Sequence, residues 1–306
     1  MQSGTLAIEP KPIQLGRLRV TKIHEMDSPV PLLSQLPGTT ADDMRRLLTW
    51  YDQPDEVTDD PETSFMTFSV HSWVIEVDGQ TILVDSCCGN HKERLLPEVA
   101  NLDTDYLGNL RRAGFAPEDI DLVMCTHLHF DHVGWNTRLD NGRWVPTFAN
   151  ARYLFGKRDF DYFRSDPAGE ELHNQAFLDS IVPVMEAGRG ELVDEDFVAH
   201  REIGDGVWLE PAFGHSPGCC VINAQSEGPP ALFWGDVIHH PVQLIRHDLK
   251  FAFDADGAAA SRTRVGVMER VADSDTLCFP AHFRRTSAGH VKRDGDAFRY
   301  EWIDNT

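Results

Sequence analysis

Alternation of apolar and polar side chains is clearest over residues 68–77. His71, Trp73, Ile75 and Val77 fall on one face there, and Val70, Ser72, Val74 and Glu76 on the other, which is the period of a strand. Asp78-Gly79 supplies a hairpin turn, and residues 80–85 return as the next strand. The same reading predicts strands at residues 15–23, 121–126, 152–155, 207–213, 220–225, 231–234 and 276–279. Helices are predicted at 42–50, at 103–113 (stopped by Gly114), and at 157–163, 170–187 and 258–272. In the last of these Val265, Met268 and Val271 form a stripe at helical spacing, a core face.

Strands and helices intermix along the chain with no low-complexity linker, so an α/β layered architecture in one domain over residues 1–306 is expected. Two segments depart from that rhythm. Residues 25–64 are rich in Pro, Asp and Thr and read as an N-terminal excursion from the core, a lid or a contact in a homodimer. Residues 156–200 read as an insert carrying several aromatic side chains.

Composition narrows the class of partner. With 28 Lys+Arg against 49 Asp+Glu the formal charge is −21, a field that repels nucleic acid and anionic membranes and favours small neutral or cationic molecules. No run approaches the ~18 apolar residues of a membrane span, and residues 1–14 hold no signal-length apolar run. The six cysteines (Cys87, Cys88, Cys125, Cys219, Cys220, Cys278) include two adjacent pairs and no CxxC spacing, as reduced core thiols of a cytoplasmic protein do.

The chemistry concentrates where the apolar strand 121–126 runs into His127-Leu128-His129-Phe130-Asp131-His132, four imidazole or carboxylate donors in six residues. Such donors suit zinc and its neighbours. A catalytic ion that keeps a water needs only three protein ligands, so the surplus points to two ions. Further donors follow at the ends of apolar segments. These are His215 in Gly214-His215-Ser216-Pro217-Gly218, Asp236 after Ala231-Leu232-Phe233-Trp234-Gly235, and His282 after Leu277-Cys278-Phe279-Pro280-Ala281.

Taken in order, HLHFDH, GHSPG, the WGD segment and PAHF resemble the motifs of the metallo-β-lactamase superfamily, and Asp85 matches the family's first motif. The resemblance spans roughly Phe68 to Phe283. It implies a four-layer αβ/βα sandwich with the metal site at one edge of the sheets. It also implies one divalent ion on His127, His129 and His215, a second on Asp131, His132 and His282, Asp236 bridging both, and Asp85 orienting ligands rather than binding. The ions it implies are Zn²⁺ first, with Mn²⁺ or Fe²⁺ as alternatives. A metal-bridging hydroxide would then be available near neutral pH.

Within that family the pattern is similar to the lactonase and organophosphate-hydrolase branch. The zinc β-lactamases usually carry Cys or His where Asp236 stands, RNA-processing members are basic, and flavodiiron and glyoxalase II-type members append further domains. The resemblance therefore implies hydrolysis of a lactone or a carboxylic or aryl ester, with Asp131 and Asp236 in the catalytic machinery. The alternatives are a phosphotriesterase with the same site, a di-iron or manganese oxidoreductase, and a non-catalytic metal-bound sensor. Many lactonases place tyrosine three residues after the bridging aspartate; here His239 stands there, as an oxyanion donor, a leaving-group acid or a packing residue. Phe130 and Trp135, within and directly after the metal loop, are the candidate pocket residues, with His239 beside them.

Overall fold

The computed structural model describes residues 11–53, 55–165, 171–200 and 206–304. Residues 1–10 of the leader reading and Glu170, the expected start of a helix, lie outside the described residues. The first half of the chain contributes β1 (Ile13–Leu15), β2 (Leu18–Pro31), β3 (Phe65–Val77), β4 (Gln80–Val84), β5 (Leu122–Met124), β6 (Thr137–Asp140), β7 (Arg143–Pro146), β8 (Arg152–Gly156) and β9 (Gly190–Val193). The second half contributes β10 (Val198–His200), β11 (Gly206–Pro211), β12 (Cys220–Gln225), β13 (Ala231–Gly235), β14 (Leu277–Pro280), β15 (Gly289–Asp294) and β16 (Ala297–Trp302).

These strands form two seven-stranded sheets, ordered β1-β2-β3-β4-β5-β8-β9 and β10 through β16, with β6 and β7 as a separate ribbon. Alternation decides what each face buries. Trp73, Ile75, Ile82 and Met124 of the first sheet meet Leu209, Ile222, Phe233 and Phe279 of the second, so one core lies between the sheets. The opposite face of the first sheet, through Val74, Leu83 and Val123, packs on Tyr106 and Leu110 of the helix Tyr106–Arg112. The outer face of the second sheet, through Val221, Leu232 and Cys278, receives Val267, Met268 and Val271 of the helix Gly257–Val271. The result is helix, sheet, sheet, helix: the expected four-layer sandwich.

Three segments differ from the sequence expectation. β2 does not end near residue 23; after an irregularity between His24 and Met26 it runs on to Pro31, opposite Phe65 of β3. Pro29 and Pro31 read as breakers, but β1 covers only Leu18–Val20, so the outer edge of β2 is open and a missing N–H loses no ladder bond. The helix expected at 170–187 is divided into Glu171–Ala176, a π turn Phe177–Ile181, and Val182–Glu186 with Pro183 near its start. The segment 156–200 also gives the first sheet its edge strand β9, paired in parallel with β8. All six cysteines are buried and free. Among the described residues no helix is long and apolar enough to cross a membrane.

Candidate metal centre

Parallel pairing brings the donor-bearing strand ends together. β4 and β5 run side by side, Val84 opposite Met124, and both end at the same edge. Asp85 follows β4; its Oδ1 accepts from the Thr126 backbone at 2.7 Å, and its Oδ2 from Thr126 Oγ1 at 2.9 Å. The chain then passes His127 and His129 and enters the helical turn Phe130–Val133, which carries Asp131 and His132. Gly134 leaves the turn where a Cβ would lie 1.8 Å from the Cys88 carbonyl, so only glycine lets the loop close. In the second sheet β13 and β14 are also parallel, Phe233 opposite Phe279, and Asp236 and His282 emerge next to one another. Gly235 has φ +51°, and a Cβ there would lie 2.6 Å from Thr126 Oγ1, where the two sheets meet under the site.

Seven buried or half-buried side chains converge as two groups of donor atoms, each within 4.8 Å of one another. One group is His127, His129, His215 and Asp236; the other is Asp131, His132, Asp236 and His282. Asp236 belongs to both. Its Oδ2 lies 3.2 Å from His215 Nε2 and 3.7 Å from His127 Nε2, and its Oδ1 lies 3.2 Å from His132 Nε2 and 3.0 Å from His282 Nε2. Despite these separations, Nε2 of His132, Nε2 of His282 and Oδ1 of Asp236 make no hydrogen bond with a described residue. A buried polar atom without a partner typically costs ~1–3 kcal/mol. Several aimed at one point form a donor set that a divalent cation satisfies.

The electrostatics agree with that fit. Burial works against charge on Asp236, yet the surrounding His132, His282 and His239 hold its carboxyl well below the usual range. Burial likewise opposes protonation of His132, but Asp236, Asp131 and Asp85 hold it well above its ordinary value. His215 is pushed up to about 9, burial being outweighed by contacts with Asp236 and Asp254. These rings take up protons where the cation would sit, and metal binding displaces such protons.

Behind the donors lies a layer of carboxylates. Asp85 Oδ2 accepts from His132 Nδ1 at 2.9 Å. Two others were not foreseen. Asp254 Oδ1 accepts from His215 Nδ1 at 3.1 Å, while its Oδ2 accepts from the Phe251 backbone at 2.9 Å. Asp159, buried on the helix Lys157–Ser165, accepts from the Leu128 backbone (3.2 Å), Ser216 Oγ (2.8 Å) and the Gly218 backbone (2.5 Å), clamping the HLHFDH and GHSPG loops together. Partners of this kind fix ring orientation and tautomer. Asp254→Ala is therefore expected to weaken metal binding by roughly 10–100-fold, measured by competition with a chromophoric chelator; wild-type affinity would contradict the orienting role.

Four of the donors, His129, Asp131, His215 and Asp236, form the floor of an open cavity walled by Val30, Phe68, Leu96, Val99, Phe130 and Phe251. Phe130 thus lines it. Trp135 does not: it stacks on Tyr106 at 5.3 Å and donates to the buried carboxylate of Glu25 at 2.6 Å. Glu25 also accepts from the backbones of Cys88 (2.7 Å) and Gly89 (3.3 Å), fixing the loop that follows β4. His239 lies beside the donors, Nε2 3.3 Å from Asp236 Oδ2, but Phe251 stacks flat on its ring at 3.7 Å and 16°, and His239 does not line the cavity. Burial pushes His239 down to about 4.

A family model described as "Metallo-beta-lactamase superfamily" matches residues 66–282. Among curated relatives, an N-acyl homoserine lactonase of a Bacillus species is 25% identical over 142 residues, 45% of this chain and 47% of the relative. The lactonase of Bacillus cereus is 22% identical over 216 residues, 66% of this chain and 77% of the relative. The first match thus spans about half the length of that relative. Among solved structures, the dizinc quorum-quenching lactonase AidC superposes with a TM-score of 0.76 at 20% identity, covering 97% of this chain and 98% of its own. The hydrolase AbOPH superposes with a TM-score of 0.77 at 19% identity and the same coverage. At such identities these likenesses show a shared fold.

Proposed function

The chain belongs to the metallo-beta-lactamase superfamily, and from that premise we propose that it is a dinuclear-metal hydrolase of ester-like bonds, a lactone or a carboxylic or aryl ester, in a small apolar or aromatic molecule. The observation that carries this reading is the pair of donor groups sharing Asp236 at the floor of an apolar cavity. His127, His129 and His215 would hold one ion, Asp131, His132 and His282 the other, and Asp236 both. Two divalent ions, Zn²⁺ first, would when bound there supply a hydroxide nucleophile near neutral pH and Lewis acidity for the ester carbonyl.

The chain's own groups do the rest. The aromatic and aliphatic walls seat the acyl or aryl part and exclude water around the floor. Asp236 lines the cavity floor and would take up the proton released on attack and return it to the leaving oxygen. His239 stands behind Phe251, so contact with a substrate oxygen requires that ring to move; in this reading the imidazole supports Asp236. A neutral phosphotriester suits the same floor and walls, since no lysine or arginine among the described residues lines the cavity to bind a phosphate charge. The six buried free thiols support a cytoplasmic setting.

A hydrolysis screen over lactones, aryl esters and phosphotriesters, with elemental analysis, tests the proposal. Turnover of at least one class is expected, lost on chelation and restored by Zn²⁺ or Mn²⁺, with two ions per chain. Turnover indifferent to the chelator, or a single ion in fully active protein, would remove the two-metal reading.

A further inference from the structure

Strand β2 breaks its pairing with β3 once. His24 lies opposite His71 and Met26 opposite Val70, which leaves Glu25 as an extra residue without a partner on β3. A bulge of this kind re-aims a side chain, and here Glu25 is turned inward until it is only 7% exposed. Every hydrogen bond it makes is an accepted one. Oε2 accepts from the Cys88 backbone at 2.7 Å, and Oε1 from Trp135 Nε1 at 2.6 Å, Thr104 Oγ1 at 3.1 Å and the Gly89 backbone at 3.3 Å. Burial pushes its pKa up, and these donors draw it back.

The two segments that Glu25 holds form a joint beneath His132. In residues 85–89 the backbone is left-handed three times, with φ +54° at Asp85, +51° at Cys87 and +79° at Gly89, a conformation that favours glycine at all three positions. Contacts from outside must hold it in that shape. It meets the metal loop through three backbone hydrogen bonds of 2.7 Å, from Ser86 to the His132 carbonyl, from Gly134 to that of Cys87 and from Trp135 to that of Ser86. Glu25 spans this joint, with Cys88 and Gly89 on one side and Trp135 on the other. His132 matters the more to its donor group because His282 Nδ1 is buried without a hydrogen-bond partner among the described residues, whereas imidazole ligands are usually fixed from behind. The other group is steadied by different carboxylates, Asp254 behind His215 and Asp159 across Leu128 and Ser216.

We propose that Glu25 is a positioning residue for the second ion, the one assigned to Asp131, His132 and His282. By pinning both sides of the joint it presets His132, and it leaves the first ion to Asp159 and Asp254. This rests on the two-metal reading and adds to it that each ion has its own carboxylate clamp, so the two affinities can be altered separately.

The test is cadmium NMR of the protein loaded with Cd²⁺ and titrated with a competing chelator. His215→Ala, which removes a donor from the first group, assigns the two resonances. Glu25→Gln keeps the volume but sets an amide NH₂ against a backbone or indole N–H. It should lower the chelator concentration that removes the second resonance by roughly 10-fold and leave the first within about twofold. Trp135→Phe takes away one of the four donors and should shift the same resonance by a smaller factor; it decides alone if the glutamine variant does not fold. Equal losses on both resonances, or none on either, would overturn the role of Glu25, whatever the change in unfolding midpoint. Wild-type protein that binds only one cadmium ion would overturn the two-metal reading before any variant is made, and the role of Glu25 with it.

Discussion

Asp236→Asn reduces hydrolysis of the best substrate to the level of chelator-treated protein: this is the expected result, and the loss should reach at least about 10²–10³-fold, the scale of removing one group that stabilises a developing oxyanion. The residue is shared by both donor groups, with five imidazole nitrogens, four of them from those groups, within 3.0–3.7 Å of its oxygens. An amide keeps the volume but loses the charge and one acceptor, so it can no longer serve both groups as an anion. Elemental analysis of the purified variant should give fewer than two ions per chain. A variant with wild-type rate and two bound ions would rule out a carboxylate-bridged centre.

Asp159→Ala is the second large effect, and it falls on stability. The carboxylate sits in the core, where burial raises its pKa and the donors Ser216, Gly218 and Leu128 draw it back towards the charged form. Its removal orphans two buried backbone N–H groups and one hydroxyl. At ~1–3 kcal/mol per orphaned group, and with Ser216 free to re-pair, a loss of roughly 3 kcal/mol or more is expected. That is a large part of the ~5–15 kcal/mol that holds a typical domain folded. Denaturant titration reads it directly, and the metal content should fall as well, because Leu128 and Ser216 adjoin ligand histidines. Asp159→Asn, which retains one acceptor, should lose less. An alanine variant with the wild-type midpoint would refute the clamp.

Much of the site was legible because its parts are local. HLHFDH, GHSPG and the segments ending in Asp236 and His282 each couple an apolar run to a donor at its end, and the parallel pairs β4–β5 and β13–β14 put those ends together. Asp254 and Asp159 were not legible. They reach the donor loops across sequence separations of 31 to 59 residues, from segments without any motif. Adjacency also misled: Trp135 directly follows the metal loop, yet the turn Phe130–Val133 swings it into the core while Phe130 stays on the cavity. The outer half of β2 was hidden by prolines that broke the strand pattern, although its open edge accommodates both.

The donors are divided unequally between the two halves of the chain. His127, His129, Asp131 and His132 follow the first sheet, whereas His215, Asp236 and His282 belong to the second. A chain emerging from the ribosome therefore displays four of its seven donors before the second sheet has been made. Closing so short a loop around an ion costs little chain entropy. Any affinity of that hexapeptide for a cation in the unfolded chain subtracts from whatever stability the metal confers on the native one. Neither donor group is whole without the second sheet, which brings His215 and Asp236 to one and Asp236 and His282 to the other.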